Sequence, residues 1–517
     1  MLTSLILAAV VANVNLAVAN VALPDIGTTF GATQTELDLV AVGYTLGLAS
    51  SVLYLSAVAD RHGRKRMVVA GTFLSLPACL ISAFAPTLTI LIIARIFGGL
   101  AAGMAFPTTL SLVTALWKGP ARTSAIALWG GVGAAAVAFS PAVAGALMTR
   151  FWWGSAFLIA LPVGLAALVL VIVFVPGHTA STSQPVDHKG GVLSIVCVAS
   201  AVLAINFASQ PGQGWLTLSL SGLGVLTGWL FVRHLRAATF PIFDLRMAGR
   251  RTFWTVSCAG AVLYGTRLGA LFIGQQFLQN VHGYTALKAG LAMTPVVILN
   301  ILSVPLSAML LRRRGSRVTI LVGYIFCCAG LLVMLLWGEY SPYSSILLAY
   351  SLLGFGVGFA GTPVNYSLTA SVPSARTGMA SAVAALQRDL GGAVMQSILG
   401  SILTLEYSAS FSKHVPAGSG YDHIATSVQA QLAKSFSLAS AIAERYPQYA
   451  HAIVVAAKES FEGGSDWACS ASIASIAGGA ILVLRTFPGK AEEERLYRSY
   501  AEADAQPPPD GVGKGDA

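Results

Sequence analysis

The chain has 517 residues, of which 55% are hydrophobic and only 10% are charged, and its formal net charge is +10. Soluble domains carry roughly 25% charged residues, so this composition excludes a water-soluble globule, which needs more polar surface than the chain can supply. The positive charge does not indicate a nucleic-acid partner, because the basic residues lie between apolar blocks, where they act as topology signals.

In chain order, the sequence alternates between apolar segments and short polar connections. A bilayer core of about 30 Å needs about 20 apolar residues per helix, and by this criterion we predict an all-α integral membrane protein with fourteen transmembrane helices. The first segment lacks a basic leading region, which favours a first span over a cleaved signal. The predicted spans are residues 2–22, 38–59, 67–85, 88–114, 122–146, 155–175, 190–209, 215–232, 252–274, 287–311, 318–337, 343–370, 378–403 and 467–485.

The loop charges predict the orientation. An even number of spans puts both termini on one side of the membrane. If that side is the cytoplasm, its loops and tail hold 22 of the 31 Lys and Arg residues, and the opposite loops hold only 5. The positive-inside rule predicts this asymmetry, so we expect a multi-pass protein of the inner or plasma membrane with both termini in the cytoplasm.

The spans suggest an internal duplication. The basic turn "DRHGRKR" follows span 2, and "RRRGSR" follows the second span of the last six. We therefore predict two six-helix bundles, residues 1–175 and 252–487, with two inserted helices in 176–251. The second bundle includes an extracytoplasmic loop at 404–466, and the polar tail 488–517 is expected to be disordered and cytoplasmic. Duplicated bundles around a central cavity are typical of transporters.

The sequence contains few signs of catalysis or of a cofactor. All six cysteines lie in apolar runs without a CxxC spacing, which favours packing roles over disulfides or metal ligands. The sequence has no HExxH or GxSxG motif and no phosphate-binding P-loop. We therefore expect no enzymatic activity, no metal site and no use of ATP.

The turn after span 2 contains more than a topology signal requires. Positive charge alone would anchor the loop, but Asp60 and Gly63 need another reason. Asp60 can pair with a basic side chain or cap a helix, and Gly63 permits a tight turn. Such a cluster can hold one conformation and release in another, as a gate does; the alternative is a static anchor.

Several segments carry a family resemblance. "LSAVADRHGRKR" resembles the first-loop signature of the major facilitator superfamily, with Ser56 where glycine is usual. Other segments, in the same chain order, resemble the fourteen-span drug:proton antiporters, in the branch of the quaternary-ammonium and methyl-viologen efflux pumps. These are "NVALPDI" (20–26), "LIIARIFGGLAAGMAFPTTLSLV" (91–113), "GGVGAAAVAFSPAVAGAL" (130–147), "QQFLQNVHGYTALKAGLAMTP" (275–295) and "LQRDLGG" (386–392).

The resemblance implies a proton-coupled multidrug efflux transporter that exports small amphiphilic compounds by alternating access and confers antibiotic resistance. It implies the proton gradient as the energy source, with no bound cofactor. We expect a monomer surrounded by membrane lipids. The resemblance also assigns a gating role to the loop residues Asp60, Arg61, Gly63, Arg64 and Lys65.

Three arginines and one aspartate lie well inside predicted spans, where each costs about 3 kcal/mol on insertion scales. The resemblance implies a role in proton coupling or substrate contact for Arg95; the alternative is a tie between helices. Asp389 is the only acid that the sequence places well inside a span, so we predict it as the proton-coupling carboxylate, with a structural ion pair as the alternative. Arg388 points about 100° away from it, and Arg267 has no evident partner.

The chain departs from the drug pumps at two acidic positions. Asn15 replaces the usual acid of span 1, and Ala384-Ala385-Leu386 lies where a glutamate is expected. These departures weaken the case for dicationic drugs and allow a neutral, anionic or lipid-like substrate. Polar and aromatic residues are predicted to line the substrate cavity, the alternative being hydrogen bonds between helices. They are Asn15, Arg95, Tyr264, Arg267, Gln275, Gln276, Asn300, Asn365, Tyr366 and Arg388.

Span 5 resembles the antiporter motif of the family, at Gly133, Ser140, Pro141 and Gly145. The resemblance implies that this segment prevents leakage. Ordinary close packing of helices explains its small residues equally well.

Two other functions stay open. One is an exporter of a specific lipid, metabolite or antibiotic on the same scaffold, which the missing acids favour and a substrate panel would reveal. The other is a non-transporting membrane partner or sensor that uses the 404–466 loop as its contact surface. Transport by the purified protein alone would exclude the second.

Overall fold

The computed structural model describes residues 1–117, 119–177, 185–208, 212–243, 245–372, 377–415 and 426–505. All regular secondary structure in these ranges is helical, as expected where each backbone hydrogen bond must be made within its own segment. Thirteen helices are long and apolar enough to cross a membrane, and the 34-residue helix Thr377–Ser410 is another of spanning length. The prediction of an all-α membrane protein is confirmed.

Each predicted span coincides with one helix or with two consecutive ones. The helices are α1 (Leu2–Phe30), α2 (Gln34–His62), α3 (Arg64–Ala83), α4 (Leu88–Leu116), α5 (Gly119–Met148), α6 (Ser155–Leu158), α7 (Ala160–Phe174), α8 (His188–Phe207), α9 (Gly214–Ala237), α10 (Leu245–Ala248), α11 (Arg251–Asn280), α12 (Ala286–Ala292), α13 (Thr294–Arg314), α14 (Ser316–Met334), α15 (Tyr343–Ala370), α16 (Thr377–Ser410), α17 (Thr426–Leu432), α18 (Phe436–Arg445), α19 (Ala450–Thr486) and α20 (Lys490–Ala505).

The spanning helices pack as two bundles with a helix pair beside them. Helices α1 to α7 form the first bundle, and α11 to α16 with α19 form the second. Helix α8 contacts both α2 and α16, and α9 packs mainly on α8. Asn206 of α8 donates to the Ser397 hydroxyl of α16 at 2.6 Å, and Tyr54 of α2 lies 2.8 Å from His188 Nδ1. The inserted pair therefore lies at the edge of the contact between the bundles.

The two ends of the molecule differ in chemistry. Because successive spanning helices alternate in direction, the α2–α3 turn with residues 60–66 and the α13–α14 turn with residues 312–317 lie at the same end, which we call the basic end. The α1–α2 turn and the helices α17 and α18 lie at the opposite end, which we call the hairpin end.

The loop expected at 404–466 is shorter than predicted. Helix α16 continues to Ser410 and α19 begins at Ala450, because the polar sequence on both sides is still compatible with helix. Residues 416–425 lie outside the described part of the chain. The described part of the connection between the two long helices contains α17 and α18.

This connection is seated on the first bundle. The Ser435 hydroxyl donates to the Ala32 carbonyl at 2.8 Å, and the Gln34 N–H donates to the Lys434 carbonyl at 3.2 Å. Ser435 also caps α18, because its hydroxyl accepts the Leu438 N–H. A segment that belongs to the second bundle by sequence thus covers the α1–α2 turn of the first.

The prediction of a disordered tail at 488–517 is wrong for its first part. Residues Lys490–Ala505 form α20, while residues 506–517 lie outside the described part of the chain. Low hydropathy predicted disorder, but the helix carries acidic side chains that are attracted to the positive charge of the basic end.

Helix α20 docks through specific contacts at the start of α14. The Glu493 carboxylate, only 4% exposed, accepts the Ser316 N–H at 3.1 Å and also the Ser316 hydroxyl. An acid at a helix N-terminus is favourably placed relative to the helix dipole. Lys490 Nζ donates to the Arg312 carbonyl at 2.7 Å. The tail therefore braces the α13–α14 turn.

We expect Glu493→Ala to destabilise the purified protein by about 2 kcal/mol, because a buried acceptor of charge-assisted hydrogen bonds is lost. A melting temperature in detergent that falls by several degrees would show this. The matched control is Glu494→Ala, since Glu494 is exposed. Equal melting temperatures for the two variants would contradict the docking role.

Candidate functional site

A cavity lies between the two bundles. Helices α1 and α5 of the first bundle line it, together with α11, α13 and α16 of the second. Its wall is mainly aliphatic, and the polar side chains on it are Asn20, Arg267, Gln275 and Gln396. A wall of this composition suits a small organic molecule with one polar part.

Two of the predicted cavity residues, Arg267 and Gln275, line this space. Gln275 is fully buried, yet neither atom of its amide has a hydrogen-bond partner among the described residues. The same holds for Arg267 Nε and for Gln396 Oε1. Buried polar atoms are normally hydrogen-bonded, so this wall has hydrogen-bonding capacity that the described side chains leave unused.

Asn15 and Arg95 lie apart from this cavity, in a small pocket inside the first bundle. Arg95 Nη1 donates to the Asn15 carbonyl at 2.8 Å, and its Nε donates to the Val40 carbonyl at 3.3 Å. The guanidinium lies 4.8 Å from the Tyr44 ring centroid, a favourable cation–π distance. The Cys79 thiol also donates a hydrogen bond to Asn15 Oδ1 at 3.3 Å. Arg95 thus ties α4 to α1 and α2.

Arg388 and Asp389 bind each other. Arg388 Nε lies 3.1 Å from Asp389 Oδ1, and a second nitrogen lies 3.4 Å from Oδ2. Neighbouring helical positions point about 100° apart, but the long arginine side chain folds back to the next residue, which is the structural ion pair that the sequence analysis left open. The Arg388 guanidinium also lies 4.8 Å from the Phe106 ring of α4, so the pair touches the first bundle.

The other predicted cavity residues belong to helix contacts outside the lining. Asn365 donates to the Tyr264 hydroxyl at 3.1 Å, which joins α15 to α11. Tyr366 is half-exposed and packs edge-on against Tyr497 of α20 at 6.3 Å. Asn300 lies where α13 and α15 approach closely. The lining of the cavity between the bundles does not include Tyr264, Asn300, Asn365 or Tyr366.

Asp38 is a buried acid that the sequence analysis missed. It lies within α2 and is 1% exposed. Gln34 Nε2 donates to Asp38 Oδ1 at 3.0 Å and to Gln276 Oε1 of α11 at 3.0 Å. The Thr404 hydroxyl of α16 lies 3.4 Å from Asp38 Oδ2. This network, which we call the Asp38 cluster, joins the bundles near the hairpin end and corrects the statement that Asp389 is the only acid inside a span.

The predicted antiporter motif forms a second junction near the hairpin end. A Cβ atom added at Gly145 would clash with the backbone of α12, and one added at Gly290 of α12 would lie 2.7 Å from the backbone carbon of Pro141. Gly133 instead faces α1, and Ser140 bonds within its own helix. Small residues therefore let the backbones of α5 and α12 touch across the bundles.

The turn at the basic end is braced within the first bundle. Arg64 pairs with Asp60 at 2.9 Å and donates to the Ser111 carbonyl of α4 at 3.3 Å. Lys65 donates to a carbonyl of α7 at 2.8 Å, and Gly63 adopts φ 105°, which favours glycine. The gating role of this turn stays a prediction.

We expect Gly145→Ala to force α5 and α12 apart, at a cost of about 1–3 kcal/mol for overpacking. A destabilisation of this size raises the population of the conformation that is open at the hairpin end at least about fivefold. A single cysteine at Ala17, in a variant without native cysteines, should then react faster with a bulky maleimide added from the hairpin side. Gly130→Ala is the control, because nothing lies within 4 Å of a Cβ added there; equal labelling rates would refute the junction.

Asp38→Ala should open the same end, because Gln34 and Thr404 lose their common acceptor, at a cost of about 1–3 kcal/mol. The same cysteine-labelling rate measures the effect. Asp25→Ala is the control, since Asp25 lies exposed near the same end. A labelling rate unchanged by Asp38→Ala would show that the cluster does not hold the bundles together.

Comparison with known proteins identifies the family of this chain. The profile of the Major Facilitator Superfamily matches residues 5–395. The multidrug efflux pump LfrA of Mycolicibacterium smegmatis is 32% identical over 399 residues, which cover 77% of this chain and 79% of that protein. The multidrug resistance protein Stp of Mycobacterium tuberculosis is 30% identical, covering 77% and 74%. The methyl viologen resistance protein SmvA of Salmonella typhimurium is 29% identical, covering 90% and 92%.

Solved structures share the fold. A bacterial homologue of the human lysosomal transporter Spinster, inward-facing and unoccupied, superposes with a TM-score of 0.61 at 15% identity, covering 96% of this chain and 97% of that one. The peptide transporter POT in complex with sulfate gives 0.61 at 13% identity, covering 93% and 95%. The relatives confirm the resemblance to the drug-efflux branch. The chain belongs to the Major Facilitator Superfamily, and it is a membrane transporter and not an enzyme.

Proposed function

We propose that this protein is a proton-coupled multidrug efflux transporter that exports small amphiphilic compounds by alternating access. The observation that carries the proposal is the mainly aliphatic cavity between two bundles that touch near the hairpin end. Relatives named as a multidrug efflux pump and a methyl viologen resistance protein support efflux of small molecules.

The proposed orientation follows from charge. The basic end carries the arginine-rich turns, so the positive-inside rule puts it in the cytoplasm of a plasma or inner membrane, together with both termini. The hairpin end then faces the opposite side. With the hairpin end held shut by the Asp38 cluster and the α5–α12 junction, the described conformation is the one that receives substrate from the cytoplasm. Export requires both junctions to part.

Proton coupling is proposed to use buried carboxylates. Asp389 is 2% exposed and balanced by Arg388, whereas Asp38 is held by the neutral donors Gln34 and Thr404. A protonated carboxyl group carries a donor of its own, so a proton on Asp38 competes with these two donors and weakens the junction. Arg95 keeps its proposed coupling role through Nη2, which has no hydrogen-bond partner among the described residues.

A second candidate is an exporter of a specific lipid, metabolite or antibiotic on the same scaffold. The aliphatic wall of the cavity favours it. The sensor hypothesis has less support, because it relied on a free 404–466 loop. Within the described residues, that connection is already engaged with the α1–α2 turn through Ser435 and Lys434.

The test uses purified protein in liposomes with an internal pH dye. An imposed pH gradient is followed by addition of cationic, neutral and anionic amphiphiles in turn. We expect substrate-dependent proton flux in the wild type and at least a tenfold loss in Asp389→Asn or Asp38→Asn, since an amide cannot take up a proton.

The control variant is Glu339→Gln. Glu339 lies in the α14–α15 turn, where a hydrogen bond from Lys458 at 2.6 Å holds its pKa below the ordinary value. We expect its flux to equal that of the wild type. Flux that survives both aspartate variants would move the proton site elsewhere, with Arg95 next to be tested. No flux with any compound, in folded protein, would refute proton-coupled efflux.

A further inference from the structure

Arg267 places an uncompensated positive charge on the cavity wall. Its Nε has no hydrogen-bond partner, and no carboxylate of the described residues forms an ion pair with it. Arg388, the neighbouring cation, is already balanced by Asp389 at 3.1 Å. Charged groups within a membrane are almost always paired or face a water-filled space. The net charge of these three groups is therefore about +1, and among the described residues no carboxylate balances Arg267.

Neutral hydrogen-bonding groups accompany this charge. Gln275 lies two helical turns beyond Arg267 on α11, about 12 Å along the axis, and lines the same cavity. It is fully buried with both amide atoms unpartnered. Its Nε2 can therefore donate to a ligand without giving up a contact within the protein. Arg267 Nε offers a second unused donor.

The rest of the wall fits an apolar body. Leu16 and Val137 of the first bundle face Leu271 and Val297 of the second across the space. We propose that this cavity binds amphiphiles whose anionic headgroup, a carboxylate, sulfonate or phosphate, pairs with Arg267, while Gln275 hydrogen-bonds a polar atom farther along the same molecule. The inference rests on the proposed function, in that the cavity is taken as the export site.

A cationic headgroup is disfavoured by the same wall. Among the residues that line the cavity, Arg267 is the charged one, and Asn20, Gln275 and Gln396 are neutral. A cation would meet repulsion and no carboxylate to balance it. The specificity should thus differ from that of a protein named for resistance to methyl viologen, which is a dication.

The experiment compares three probes that differ only in the headgroup. They are 11-(dansylamino)undecanoate, its neutral methyl ester, and an analogue with a trimethylammonium head. Dansyl fluorescence reports binding to the full-length protein in nanodiscs of phosphatidylcholine, with empty nanodiscs subtracted. We expect the anionic probe to bind at least tenfold more tightly than the other two, because only it satisfies Arg267.

Variants of Arg267 test whether this residue causes the preference for the anionic probe. Arg267→Gln should abolish the preference for the acid, and Arg267→Lys should keep part of it, because the charge remains without the planar donors. Lys288→Gln removes an equal charge from an exposed side chain that packs over Tyr284 at 3.8 Å, outside the cavity. It should leave all three affinities unchanged. If Arg267→Gln does not fold, Arg267→Lys remains the test, because its preference for the acid over the ester should be smaller than that of the wild type.

Equal affinity for the three probes, or tighter binding of the cation, would overturn the proposal. A preference for the acid that persists in Arg267→Gln with a wild-type melting temperature would also overturn it. Binding needs no proton flux, so loss of this preference beside intact flux refutes the headgroup assignment and leaves the proposed function standing. Competition with phosphatidylglycerol and with decanoate distinguishes the two possible sources of the ligand. Displacement of the acidic probe by phosphatidylglycerol supports an anionic lipid as ligand. Displacement by decanoate alone supports a soluble amphiphile.

Discussion

The need to compensate buried charge constrains this structure more than any other interaction, because a membrane offers no water to do so. Arg95 is compensated by two carbonyls and an aromatic ring, which ties three helices of the first bundle. Asp389 is compensated by the next residue, Arg388. Asp38 is compensated by neutral donors from its own and the opposite bundle. Arg267 alone of these residues has no such partner among the described residues, and it is the one on the wall of the large cavity.

Hydropathy predicted the helices well because a spanning helix must satisfy its backbone within itself and show apolar side chains to lipid. It failed for polar segments whose helical structure depends on contacts with other helices. The helix Lys490–Ala505 is polar and was predicted as disordered, yet Glu493 is buried against Ser316. The helix α19 begins well before its apolar part, at Ala450. A hydropathy window detects contact with lipid; it does not detect a polar helix that docks on protein.

The site was predicted in part. The sequence identified Arg267 and Gln275 as cavity residues, and both line the cavity. It missed Asp38 because the span was taken to begin there. A signal was available: Thr33 and Glu36 form a capping box that starts α2 at Gln34 and puts Asp38 one turn inside. The pairing of Arg388 with Asp389 was not predictable from helical geometry alone, because it depends on a rotamer.

The two junctions near the hairpin end have different physical chemistry, and a proton-driven exporter benefits from both. The α5–α12 contact relies on the absence of side chains at Gly145 and Gly290, so it depends on shape and does not respond to pH. The Asp38 cluster relies on a carboxylate, which is the group that takes up a proton in the proposed coupling. Two conformations that both need to be populated differ by only a few kcal/mol. Closure by backbone packing alone would not respond to the proton gradient. In the proposed mechanism the gradient acts instead through protonation of one carboxylate that is held by neutral donors.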